Sequence, residues 1–195
     1  YQAAYLKVHH PAEFMAAVIS NRGGYYTTAA YISETKRIGI SILPIDINES
    51  DYEFTGNGNH VRPGFMTLAE IRYPTIKNIL EERERNGKFT DLKNFTSRVH
   101  ITKSDGEVLV FSGALDDLCG KKNRTLILWE LLRLVSNTSS TEEETTLSLF
   151  DTKSPETHPH IKEMSYIHQL KKEYNYVGFL IHEHPLIFYK KKIQK

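Results

Sequence analysis

The chain has 195 residues, enough for one good hydrophobic core or two small ones, and its 39% hydrophobic and 25% charged content excludes the disordered, fibrous and membrane classes. A formal net charge of +1 means that any nucleic-acid contact must come from a local arrangement of cations. Cys119 is the single cysteine, which excludes an internal disulfide and fits a reducing, cytoplasmic setting, while no apolar run approaches the length of a membrane span.

Apolar residues at helical spacing run from Tyr1 to about Ile19, and Pro11 predicts two short helices broken at His10-Pro11. Residues 21 to 24 read as a turn, and Tyr25 to Ile38 as a helix closed by Gly39. Ile40 to Leu43 reads as a short strand. Tyr52 to Thr55 and His60 to Arg62 read as a second and third strand around a tight turn at Gly56 to Asn59. Further helices are expected over Met66 to Ile71, Pro74 to Arg85, Thr90 or Asp91 to Phe95, Ser104 to Ser112 and Asn123 to Val135. In the last of these, Leu126, Ile127, Trp129, Leu131, Leu132 and Leu134 are expected to be core.

Composition changes at Ser136. Residues 137 to 146 are almost entirely Ser, Thr and Glu, too polar to offset the entropy of ordering, and are expected to form a mobile linker. Thr146-Leu147-Ser148-Leu149-Phe150 interrupts it as an apolar island. A last helix is expected over Lys162 to Tyr174, followed by a strand or helix end at Val177 to Ile181. The pairs His158-x-His160 and His182-x-His184 lack a visible third and fourth ligand, so no metal site is expected. The opening Tyr1-Gln2-Ala3 lacks an initiator methionine and reads as a segment of something longer.

Five stretches in order resemble the alpha subunit of bacterial DNA polymerase III, the C-family replicative polymerase. Tyr1 to Lys7 with His10 to Ala17 is similar to the YQTAYLKAHYPAEFMAA segment of its fingers, and Gly39 to Ser50 resembles GIKVLPPDINES with Ile45 in place of the second proline. Gly64 to Arg83 aligns without gaps to its helix-hairpin-helix. Ser112 to Asp116 with Asn123-Arg124 resembles its SGAFD and NR elements, and Gly178 to Leu180 with His184 to Leu186 resembles LGFYLSGHPL.

The resemblance implies a mainly α fold with a small β-hairpin. It implies the end of the fingers over 1–55, a tandem helix-hairpin-helix-like, clamp-binding domain over 56–135, a flexible linker over 136–160, and a helical segment over 161–195 leading to an OB-fold. The family's nucleotidyl transfer uses divalent metal, magnesium, held by palm aspartates upstream of Tyr1. Asp46, Asp51, Asp91, Asp105, Asp116, Asp117 and Asp151 match no palm motif and read as caps, turns and solvated faces, so this stretch is expected to need no cofactor and to be inactive alone.

In the helix-hairpin-helix, backbone N–H groups of a Gly-hydrophobic-Gly turn point at a DNA phosphate. Here Glu70-Ile71-Arg72 stands in that place, and two readings follow. Either the hairpin is degenerate and kept for packing, or it retains a DNA contact through Arg72, Lys77 or the nearby Arg22, Lys93 and Arg98. Thr146, Leu147, Ser148, Leu149 and Phe150 match the Gln-Leu-Ser/Asp-Leu-Phe peptide of sliding-clamp binders at four of five positions, with Thr146 departing from glutamine. The partners implied are DNA, the sliding clamp, and the rest of the polymerase chain and holoenzyme. A stand-alone helix-hairpin-helix module of repair or recombination, and a mutagenic polymerase paralogue, are the alternatives.

Overall fold

A computed structural model describes residues 1–22, 24–120, 123–139 and 163–190. It is mainly helical, with eight α-helices and a small sheet among the described residues. The two N-terminal helices are α1 (Gln2–His9) and α2 (Pro11–Asn21), broken where proline removes a backbone donor. Helix α2 buries Ala12, Met15, Ala16 and Ile19, the i, i+3, i+4, i+7 stripe that helical periodicity requires.

Helix α3 (Thr28–Arg37) starts three residues later than expected. The Thr27 side chain accepts from the Ala30 amide and sets that start, which leaves Tyr25 and Tyr26 outside the helix and exposed.

The sheet is larger than the expected hairpin. Strands β1 (Ser41–Ile42), β2 (Thr55–Asn57) and β3 (His60–Arg62) lie in the order β1-β3-β2, with β1 parallel and β2 antiparallel to β3. Asn57 pairs His60, so the turn is Gly58-Asn59, and Gly56 is a strand residue rather than part of the turn. Gly56 has a packing reason. A Cβ there would stand 2.4 Å from the Ala12 carbonyl, so β2 lies directly against the backbone of α2. The sheet takes strands from both sides of residue 55, and one buried cluster runs from Ala12 through Val61, Phe65 and Leu109 to Ile181.

A helix over Met66 to Ile71 does not form. The chain makes a single 3-10 turn, Phe65–Thr67, that buries Phe65 and leads to buried Leu68. The Ala69 amide then donates to the Tyr176 carbonyl at 2.8 Å instead of turning back into a helix. Helix α4 (Tyr73–Asn86) follows, with Thr75, Ile76 and Ile79 buried. Helix α5 (Leu92–Arg98), capped by Asp91, runs three residues beyond Phe95. Helix α6 (Lys103–Phe111) begins at a reciprocal capping box of Thr102 and Asp105.

Helix α7 (Arg124–Ser139) packs on α5 and α6 with Ile127 and Leu131 fully buried, and it reaches Ser139, into the stretch expected to be linker. Leu128 and Leu134 are partly buried against the same core, whereas Leu126, Trp129 and Leu132 are half-buried. Helix α8 (Tyr166–Val177) packs on α6 and ends at Gly178. Phe179, Leu180 and Ile181 after it do not form a strand, and all three are buried. Among the described residues no helix is long and apolar enough to cross a membrane.

Candidate nucleic-acid interface

The turn before α4 places Glu70, Ile71 and Arg72 at its N-terminus. Glu70 has φ +68°, the left-handed conformation that suits glycine and costs an L-residue about 1 kcal/mol. Its side chain is exposed, and Ile71 is half-buried against the core. The backbone thus keeps a glycine-type turn although no glycine is present.

Arg72 is committed to an internal carboxylate. Its Nη2 and Nε lie 2.7 and 3.0 Å from Asp105 Oδ2, and its backbone N–H donates to Oδ1 at 3.2 Å. The Thr75 and Thr102 hydroxyls each donate to Oδ2 at 2.9 Å. Asp105 is the N3 residue of α6, so one carboxylate ties together the starts of α4 and α6. Burial opposes its ionisation, and the hydrogen bonds from Arg72, Thr102 and Thr75 outweigh that, holding the carboxyl down at about 2. The pair is lopsided: the Asp105 side chain is 1% exposed, and that of Arg72 is 54% exposed, leaving guanidinium surface for a ligand.

The other basic candidates divide by use. Arg98 stacks 4.4 Å over the Phe89 ring and donates to the Glu82 and Gly87 carbonyls at 2.6 and 3.0 Å, so it holds the end of α4. The Arg22 guanidinium donates to the Met66 carbonyl, beside the 3-10 turn. Lys77 is exposed on α4 with Glu81 at 3.6 Å, and Lys93 is exposed on α5. Thr146, Leu147, Ser148, Leu149 and Phe150 lie outside the described residues.

Four of the aspartates have structural partners. Asp91 and Asp105 cap helices, Asp46 accepts from the Asn48 amide at 2.8 Å, and Asp51 pairs with Arg83 at 2.8 Å. Among the described residues no three His, Cys, Asp or Glu side chains come together to hold a metal ion. The His184 ring accepts from the Leu186 amide at 3.2 Å, acting as a cap.

A second charged cluster joins the family-like stretch at Ser112 to Arg124 to α8 and, through Lys36, to the segment that follows α8. Arg124 Nη2 lies 2.6 Å from Asp116 Oδ2, and its Nη1 reaches the Phe111 carbonyl at 3.0 Å and Glu173 Oε2 at 3.3 Å. Gly113, at φ +87°, passes under the guanidinium, where a Cβ would stand 2.6 Å from Nη2. Lys36 on α3 donates to the Leu180 and Ile181 carbonyls at 3.1 and 2.7 Å, and burial depresses its pKa. A cavity of about 590 Å³ beside this cluster is lined by Asp116, Asp117, Glu163 and Glu173 together with Arg124 and His182.

Sequence reading missed Asp105 as the partner of Arg72, and it missed Tyr52 and Tyr73, which flank the hairpin. The signal for Asp105 was present: Thr102-Lys103-Ser104-Asp105 has the spacing of a capping box.

The 3-10 turn, the glycine-conformation turn and the long α4 follow one another in the order of a helix-hairpin-helix, and the helix-hairpin-helix motif family matches residues 39–126. The chain is a homologue of part of the DNA polymerase III alpha subunit. It is 32% identical to that subunit from Thermus aquaticus over 193 residues, covering 97% of this chain and 16% of the relative. It is 33% identical to those of Staphylococcus aureus strain MRSA252 and Borreliella burgdorferi, covering 95% and 99% of this chain and 18% of each relative. The chain therefore spans less than a fifth of the length of these relatives.

Proposed function

We propose that this chain is the part of a bacterial replicative DNA polymerase that contacts duplex DNA and tethers the enzyme to its sliding clamp, with nucleotidyl transfer carried out elsewhere in the polymerase. The observation that carries the DNA contact is Glu70 at φ +68°, a turn shaped for close backbone approach, with the exposed cations Arg22, Arg72 and Lys77 around it. The Glu70 carboxylate opposes a phosphate there by about 1 kcal/mol in wet surroundings.

Glu70→Gly should relieve both the backbone strain and the repulsion. Expected are a Tm raised by a few degrees and duplex affinity raised several-fold, read by calorimetry and fluorescence anisotropy. With three phosphate contacts, log K should fall against log salt with a slope of about −2.7. A wild-type chain that binds no duplex at low salt, or whose affinity ignores Arg22→Ala with Lys77→Ala, would sink this reading.

The clamp tether rests on sequence chemistry. Leu149 and Phe150 are large apolar side chains within a run of Ser, Thr and Glu, and burying each in a partner's pocket is worth about 1.5 to 3 kcal/mol. Leu149→Ala with Phe150→Ala should abolish binding to the immobilised clamp while leaving the helical spectrum unchanged, and Thr146→Gln should tighten it. Undiminished clamp binding by the double alanine variant would remove the tether from the proposal.

A further inference from the structure

We infer that Tyr52 and Tyr73 form a base-stacking platform that takes an unpaired DNA strand at the hairpin face; this rests on the DNA-contact reading above and specifies the kind of DNA. The two rings meet edge to face, with centroids 5.7 Å apart and planes at 88°. Tyr73 is the first residue of α4, directly after Arg72, and is 61% exposed; Tyr52 precedes β2 and is 39% exposed. Aromatic rings left this open are not supplying core.

The cations of the hairpin are connected to the backbone on which these rings stand. The Met66 amide donates to the Tyr52 carbonyl at 2.9 Å, and the Met66 carbonyl accepts from the Arg22 guanidinium. On the other side Arg72 adjoins Tyr73, and Lys77 lies one helical turn further along α4. Exposed rings on the same turn as exposed cations suit a strand in which bases and phosphates alternate.

Carboxylates occupy the same surface. Glu53 and Glu70 are exposed, Asp51 is held by Arg83, and Glu81 by Lys77. Charge attraction is therefore partly cancelled, and the rings must supply the discrimination. A duplex hides the faces of its bases within the stack, whereas an unpaired strand presents them. Removing one stacked aromatic lowers single-strand affinity on the order of ten-fold or more.

The test titrates the 195-residue chain against a labelled oligothymidylate of about twelve nucleotides and a blunt duplex of equal length, by anisotropy at low salt. Tyr73→Ala should weaken single-strand binding on the order of ten-fold and duplex binding by less than about two-fold, with Tyr52→Ala in the same direction and Tyr73→Phe close to wild type. Should Tyr73→Ala prove unstable by thermal melt, Tyr73→Leu retains apolar bulk without a ring and must show the same selective loss. Equal losses on both DNAs, or none, would overturn the inference, the latter indicating a protein partner on the rings. Binding of duplex alone by the wild type overturns it while leaving the DNA-contact reading intact, and binding of neither DNA removes that reading as well.

Discussion

Arg72→Ala is expected to lower the midpoint of urea unfolding at neutral pH, because it removes two bonds from a buried carboxylate. Asp105 is 1% exposed and accepts two bonds from the Arg72 side chain. After truncation Thr75, Thr102 and the Arg72 amide still donate, which sets the loss below that of a wholly unpartnered buried charge. Arg72→Lys should recover only part, since an ammonium cannot reproduce the guanidinium's two bonds.

Acid provides an independent check. The folded-state pKa of Asp105, about 2, lies below its ordinary value of 3.8, so its contribution is fully present above about pH 4 and is lost as pH falls through 3.8 toward 2. In Arg72→Ala the folded value rises, so acid unfolding should begin at a higher pH, and in Asp105→Asn this part of the pH dependence should vanish. An unchanged urea midpoint in Arg72→Ala would show that the threonines satisfy the carboxylate alone, leaving the guanidinium free for DNA. The same pairing explains why Glu70→Gly is the informative hairpin variant: adding Arg72→Gly would mix any gain in phosphate approach with the loss of the Asp105 anchor.

Much of this architecture was legible because local signals agreed. Pro11 and the Ala12, Met15, Ala16, Ile19 stripe define α2, and Pro74 with Gly87 brackets α4. The misplaced elements are those decided by distant partners. Met66 to Ile71 is apolar enough for a helix, yet the Tyr176 carbonyl, near the far end of the chain, takes the Ala69 amide. The start of α3, expected at Tyr25, is a local exception, since the cap that sets it is the neighbouring Thr27. At the hairpin, alignment to a glycine motif located the turn whose backbone Glu70 retains. It did not reveal that Arg72 faces inward to Asp105, because an ion pair between residues on separate helices leaves no periodic trace. The Tyr52–Tyr73 pair escaped for the same reason, since Tyr52 meets α4 only once β2 and β3 have turned the chain back.

A loss of about 3 to 5 kcal/mol is expected for Arg124→Met, the largest single effect among these variants. Arg124 is 12% exposed and Glu173 8%, so the substitution leaves the Glu173 carboxylate in the interior without its guanidinium. What remains to it is the Ile181 amide at 3.4 Å and the field of Lys36, both weaker than a contact ion pair. Asp116, more open to solvent, can hydrate and adds less. Because Glu173 lies on α8 and its other contact is the segment that Lys36 holds, the damage should concentrate there: hydrogen exchange of α8 should accelerate before that of α6 and α7. Arg124→Met combined with Glu173→Leu should recover part of the loss, since an apolar pair can replace a buried ion pair at little cost, whereas Arg124→Met alone cannot. If Arg124→Met changed stability by less than about 1 kcal/mol, or if α8 kept its protection, then α8 is held by Leu170 and Val177 against the core rather than by the charged cluster.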